Sequence, residues 1–135
     1  MTEGFTYRGY GIQDLKNMDL SKFMEIVPSR IRRSLKRGFT PAQKILLKRI
    51  EAERIRIEKG AEPKPIRTHC RDMVILPNMV GLIISVHNGK EFVDVRINAE
   101  KLGHVLGEFT YNRKRVNHNN PGVGATKGSA FVSVK

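Results

Sequence analysis

Apolar and polar residues follow two different periods along this chain. Between Asp19 and Pro28, Leu20, Phe23, Met24 and Val27 recur at i, i+3, i+4 and i+7. That spacing predicts a short amphipathic helix capped by Asp19 and ended by Pro28. In PSRIRRSLKRG, Ile31 and Leu35 stand i,i+4 apart and Gly38 suits the C′ position, which predicts a second helix with cations on its remaining faces. The sharpest start signal follows. Thr40, Pro41 and Gln43 form a capping box with proline at the first helical position. Good helix formers then run through AQKILLKRIEAERIRIEK to Gly60, with Ala42, Ile45, Leu46 and Ile50 as the expected buried stripe. Beyond Ile50 the apolar positions thin, so this end is expected to project.

The period then changes from helical to alternating. EPKPIRTHC carries two prolines and reads as a linker. Residues 80–97, VGLIISVHNGKEFVDVRI, alternate on both sides of Asn88-Gly89, the favoured pair for a two-residue type I′ loop. That loop would set Ile84 opposite Val93, Leu82 opposite Val95 and Val80 opposite Ile97 on one apolar face. A lone hairpin is marginal, and Met73-Val74-Ile75-Leu76 is the expected third strand. Asn98 can cap a turn over AEKL, stopped by Gly103, and GHVLGEF reads as a further turn. From Asn112 onward, NRKRVNHNNPGVGATKGSAFVSVK has almost no apolar period and reads as an extended tail. The expected fold class is α+β. A helical N-terminal half over residues 1–62 precedes a core over 63–111 with a small antiparallel sheet of about three strands, and a basic tail over 112–135 follows.

Charge changes this picture from a small fold to an incomplete one. The 135 residues hold 25 Lys or Arg against 13 Asp or Glu, a net charge of +12, while only 39% are apolar. The surplus is uneven: residues 28–59 carry eleven cations and three anions, whereas 60–98 carry five and four. Such a block repels itself unless a polyanion neutralises it. The candidate phosphate-binding cations are Arg30, Arg32, Arg33, Lys36 and Arg37, then Lys44 and Lys48 on the long helix, then Arg113, Lys114, Arg115 and Lys127 of the tail. RNA is favoured over duplex DNA because no helix-turn-helix, zinc finger or heptad-bearing basic region appears.

Other chemistries find little support. One cysteine, Cys70, cannot build a disulfide framework or a cysteine-rich zinc site. No histidine has an i,i+4 ligand partner on a predicted helix, so neither metal nor cofactor is expected. No phosphate loop or nucleophile–base pair is apparent, and an enzyme is disfavoured. Glu51, Glu53 and Glu58 read as charge balance within the basic helix. No apolar run is long enough to span a membrane and the N-terminus lacks a signal-peptide pattern, so a cytoplasmic chain without a membrane partner is expected.

Several ordered motifs carry a resemblance. They are Arg67-Thr68 with Arg71, Pro77-Asn78-Met79, Gly81-Leu82, Val86-His87-Asn88-Gly89, and Gly103-His104 with Leu106-Gly107-Glu108-Phe109. Together they resemble the core of the universal S-nineteen family of small-subunit ribosomal proteins. FTYRGY, RIRRSLKRGFTPAQKILLKRI and PGVGATKGSAF resemble its archaeal and eukaryotic branch, whose eukaryotic member is called S-fifteen. The resemblance implies a structural protein of the subunit head that binds small-subunit rRNA and neighbours an S-thirteen family protein. It also implies a tail directed toward the decoding region and A-site tRNA, and a single copy rather than a homo-oligomer. On this sequence it makes Arg67, Thr68, Arg71, Asn78, His87, Asn88, Gly89, Lys90 and His104 the expected RNA-facing positions of the core. The rival is a non-ribosomal RNA-binding or assembly factor of the same charge.

Overall fold

A computed structural model of the chain describes residues 4–117. The N-terminal half opens with a small hairpin, β1 (Thr6–Tyr7) and β2 (Tyr10–Gly11), paired antiparallel. Its two-residue loop is Arg8-Gly9, both at positive φ. The primed turn expected at Asn88-Gly89 thus occurs here instead. Three short helices follow: α1 (Ile12–Asn17), α2 (Leu20–Ile26) and α3 (Ser29–Lys36). Phe23 and Val27 of the α2 segment, and Ile31 and Leu35 of α3, are buried, whereas Leu20 of the expected stripe is exposed and Met24 half-buried.

Helix α4 (Pro41–Glu58) starts where the capping box places it. Thr40 Oγ1 accepts from Gln43 N at 3.4 Å, and Gln43 Oε1 accepts from Thr40 N at 3.0 Å. It ends in a Schellman motif: Gly60 N donates to Ile57 O at 2.9 Å and Ala61 N to Arg56 O at 3.2 Å. The buried stripe differs from the expected one. Gln43, Leu46 and Ile50 are buried, whereas Ala42 and Ile45 face solvent. The amide of Gln43 is tied up in the cap, which lets this polar residue occupy a core-facing position.

The chain after α4 is no free linker. Glu53 on α4 accepts from Lys64 N at 2.7 Å, and Arg56 Nη2 donates to Glu62 O at 2.6 Å, folding residues 62–64 back onto the helix. Directly after Pro65 comes β3 (Ile66–Thr68). This is the third strand of the sheet, and it replaces Met73–Leu76 in that role. Proline is compatible with the start of a strand, so the two prolines mark its edge rather than forbid it. Met73, Val74, Ile75 and Leu76 are all buried, without the in–out alternation of a sheet with one open face. They are laced instead to residues 104–106: Ile75 N donates to His104 O at 2.8 Å, Leu106 N to Met73 O at 3.0 Å, and Val74 bridges Val105.

The sheet order is β3, β4 (Ile83–His87), β5 (Phe92–Arg96), with β3 parallel to β4 and β4 antiparallel to β5. The hairpin register opposes Ile84 with Val95 and Val86 with Val93, a shift of two residues from the expected pairing. Asn88 causes it. Its Oδ1 accepts from both Lys90 N (2.9 Å) and Glu91 N (2.8 Å), stabilising a wider loop closed by Asn88 N on Glu91 O. An even shift keeps every side chain on its expected face. Leu82, Ile84, Val86, Val95 and Ile97 therefore lie inward and buried, in one cluster with Phe23, Leu46 and Ile50 from the helical half.

The last described segment contains 3-10 turns at Ala99–Lys101 and Leu106–Phe109. Gly103 between them is buried at φ +75, and a Cβ there would lie 2.5 Å from the Tyr7 hydroxyl. Gly107 lets its backbone meet that of Arg71, with Gly107 N donating to Arg71 O at 2.8 Å; a Cβ there would crowd that carbonyl at 3.0 Å. The α+β class is that of the sequence reading. Residues 111–117 are exposed and without regular structure; the rest of the expected tail, with Lys127, lies outside the described residues.

Candidate nucleic-acid interface

Helix α3 separates its cations into two kinds. Ile31 and Leu35 anchor one face in the core, which leaves Arg30, Arg33, Lys36 and Arg37 exposed on the others. Lys44 and Lys48 are exposed on α4. None of these six forms an ion pair among the described residues. Arg32 turns the other way. Its Nε donates to Met24 O at 2.8 Å, and its Nη2 to Glu25 O at 3.0 Å and Val27 O at 3.2 Å. These are carbonyls at the C-terminal end of α2, which have no partner within that helix. A cation there also complements the helix dipole. Arg32 is thus a clamp between α2 and α3. Beside it, Ser29, Arg32, Arg33, Lys36 and Arg37 line an open depression of about 610 Å³.

The same division recurs in the core. Arg71 is half-buried, and its guanidinium donates to His87 O at 2.8 Å, to Gly107 O at 3.1 Å and to Thr110 O. It ties the end of β4 to the 3-10 turn Leu106–Phe109 and to Thr110 just after it. It acts as an internal strut. Thr68 is likewise buried, and its Oγ1 accepts from Cys70 N at 3.0 Å. Asn78 Oδ1 is sealed from solvent with no hydrogen-bond partner, so this atom is unavailable to RNA in this conformation. The Asn88 side chain is spent on its own loop, and His87 Nδ1 accepts from Gly89 N at 3.0 Å. Gly89 and Lys90 are exposed at that loop. His104 is exposed and paired through Nδ1 with Glu108, an i,i+4 contact that the reading of this segment as a simple turn passed over. Arg113, Lys114 and Arg115 are exposed.

The outer face of the sheet brings two expected positions, Arg67 and His87, together with two that the sequence reading did not include, His69 and Phe92. Arg67 on β3 places its guanidinium 5.4 Å from the centre of the Phe92 ring on β5. His69 and His87 have ring centres 4.5 Å apart, and both stand edge-on to Phe92, at 5.2 and 4.9 Å. His69 is exposed, and Phe92 is 36% exposed. The signal was present in the alternation: Phe92 falls on the mixed side of the hairpin, where a large aromatic is out of place as packing. Ser85 donates to Asp94 on the same face.

One carboxylate is clearly perturbed. Arg56 bonds Glu53 at 3.0 and 2.6 Å, and this, followed by the backbone donor of Lys64, holds the Glu53 carboxyl below its ordinary 4.5. Glu58 pairs more loosely with Arg54, at 3.9 Å. Both contacts lie within α4, so Glu53 and Glu58 are paired there rather than with the α3 cations, while Glu51 is exposed without an ion-pair partner among the described residues. Among the described residues no cluster of three or more His, Cys, Asp or Glu could hold a metal, and no helix is long and apolar enough to cross a membrane.

A family model described as ribosomal protein S19 matches residues 33–118, from within α3 through the whole mixed sheet. The small ribosomal subunit protein uS19 of Methanococcus aeolicus is 50% identical over 131 residues, covering 97% of this chain and 81% of that protein. The protein of the same name from Methanococcus maripaludis is also 50% identical over 131 residues, with the same coverage.

Proposed function

This chain belongs to the ribosomal protein S19 family, and from that premise we propose that it binds small-subunit rRNA through the exposed cations of α3 and the first turns of α4. Family membership makes it a structural, non-enzymatic component of the small ribosomal subunit, active in cytoplasmic translation. The observation that carries the RNA contact is the unopposed charge: Arg30, Arg33, Lys36, Arg37, Lys44 and Lys48 are exposed without a carboxylate partner among the described residues. Each such cation that meets a phosphate releases a condensed counterion, which drives binding and makes it salt-dependent. Arg30, Arg33 and Arg37 add bidentate geometry at phosphate oxygens.

The same reading extends to neighbours. A single copy sits in the subunit head beside an S-thirteen family protein. Its basic tail, beginning with Arg113, Lys114 and Arg115, runs toward the decoding region and A-site tRNA. Sedimentation tests the assembly directly. Tagged protein expressed in an archaeal host should remain with small subunits after a high-salt wash. Recovery only in the soluble fraction would overturn the ribosomal role and favour a transient RNA-binding or assembly factor.

A further inference from the structure

We propose that the outer face of the sheet, centred on Phe92 and His69, is a stacking platform for an unpaired RNA base. This rests on the reading of the chain as an RNA-binding protein and assigns a second contact of different chemistry. Three rings from three neighbouring segments converge there, with centres 4.5 to 5.2 Å apart. Phe92 and His69 keep open surface, and Arg67 lies 5.4 Å from the Phe92 centre. Register holds the cluster together: His87 pairs directly with Phe92 across β4 and β5, and Arg67 pairs with Ser85 across β3 and β4. Phe92, His87 and Arg67 of the platform thus sit on strands, and His69 directly follows β3.

Charge distinguishes this face from α3. Arg67, Lys90 and Arg96 are exposed here, but so are Glu91 and Asp94. A near-balanced face is poorly suited to gripping phosphate by charge alone. What it offers is π surface with an arginine at hand, the combination on which unpaired bases stack. A duplex cannot use it, because its bases are already stacked on one another.

Binding of the full-length protein to two probes tests this: a single-stranded oligoadenylate and a fully paired RNA duplex, each titrated over a range of salt. Phe92→Ala should weaken oligoadenylate binding roughly tenfold, leave its salt slope in place and barely change duplex binding. Phe92→Tyr, which keeps the ring, should restore affinity, and His69→Ala should give a smaller loss on the same probe. An equal loss on both probes, or none on oligoadenylate, would overturn the platform. Failure of the broader reading looks different: wild-type protein would bind neither probe. Thermal unfolding of each variant identifies a variant that has lost its fold, and the aromatic replacement Phe92→Tyr then decides the question. Oligoadenylate affinity that Phe92→Tyr fails to retain would count against the platform.

Discussion

Helix α3 and the segment around Arg71 are both arginine-rich settings, yet they use the side chain in opposite directions. On α3, Arg30, Arg33 and Arg37 stay exposed, while Arg71 points inward to three backbone carbonyls. Arg32 shows that the choice is local. It shares a helix with outward arginines but lies where the end of α2 presents unpaired carbonyls, and it donates to them. An arginine turns inward here where carbonyls at the ends of helices, strands and turns lie within its reach. Charge in this protein therefore divides into a part that holds the fold and a part left for a partner.

Breaking the inward class should cost stability. Arg71→Ala removes the donor for three carbonyls and is expected to lower unfolding free energy by about 3 kcal/mol, given that bonds to a charged donor are worth roughly 1.5–3 each. A urea titration would show it as a lower midpoint with an unchanged slope. Arg71→Lys, which cannot span all three acceptors, should recover only part. Arg32→Ala should cost less, about 1–2 kcal/mol, because the carbonyls at the end of α2 can be partly reached by water. A midpoint unchanged in either variant would erase the distinction between inward and outward arginines.

The smallest effect belongs to Glu53. Its carboxyl is held below the ordinary value chiefly by Arg56 and then by Lys64 N. The folded state thus binds the proton less readily than the unfolded state. The stabilisation is present above about pH 4.5 and is lost as pH falls through the depressed folded value. Glu53→Gln should accordingly narrow its stability gap from wild type on going from pH 7 to pH 3. A gap that widens on acidification would contradict the assignment.

Local signals were the legible ones. The Thr40 capping box, the stops at Gly38 and Gly60 and the inward positions of α3 depend on neighbours within one or two turns, and the sequence shows them directly. The hairpin faces survived an error in register because the error was even. What the sequence hid depends on distant partners. The Arg71 acceptors lie 16, 36 and 39 residues away, and no pattern around Arg71 announces them. The third strand was misplaced because Met73–Leu76 is richer in β-formers than Ile66-Arg67-Thr68. Burial on every side removed the former from the sheet, and the proline before the latter concealed its alternation. Several residues of the family motifs (Thr68, Arg71, Asn88) serve the fold in this structure.

Salt dependence of RNA affinity tests the division of charge most directly. Small-subunit rRNA would be titrated with wild-type protein, with the combined variant Arg30→Gln, Arg33→Gln, Lys36→Gln and Arg37→Gln, and with Arg32→Gln alone. The combined variant should lose roughly three units of the log affinity against log salt slope, at about 0.7–0.9 per phosphate contact. Arg32→Gln should leave the slope unchanged while lowering stability. A combined variant with the wild-type slope, or an Arg32→Gln protein that loses a full unit of it, would contradict the account.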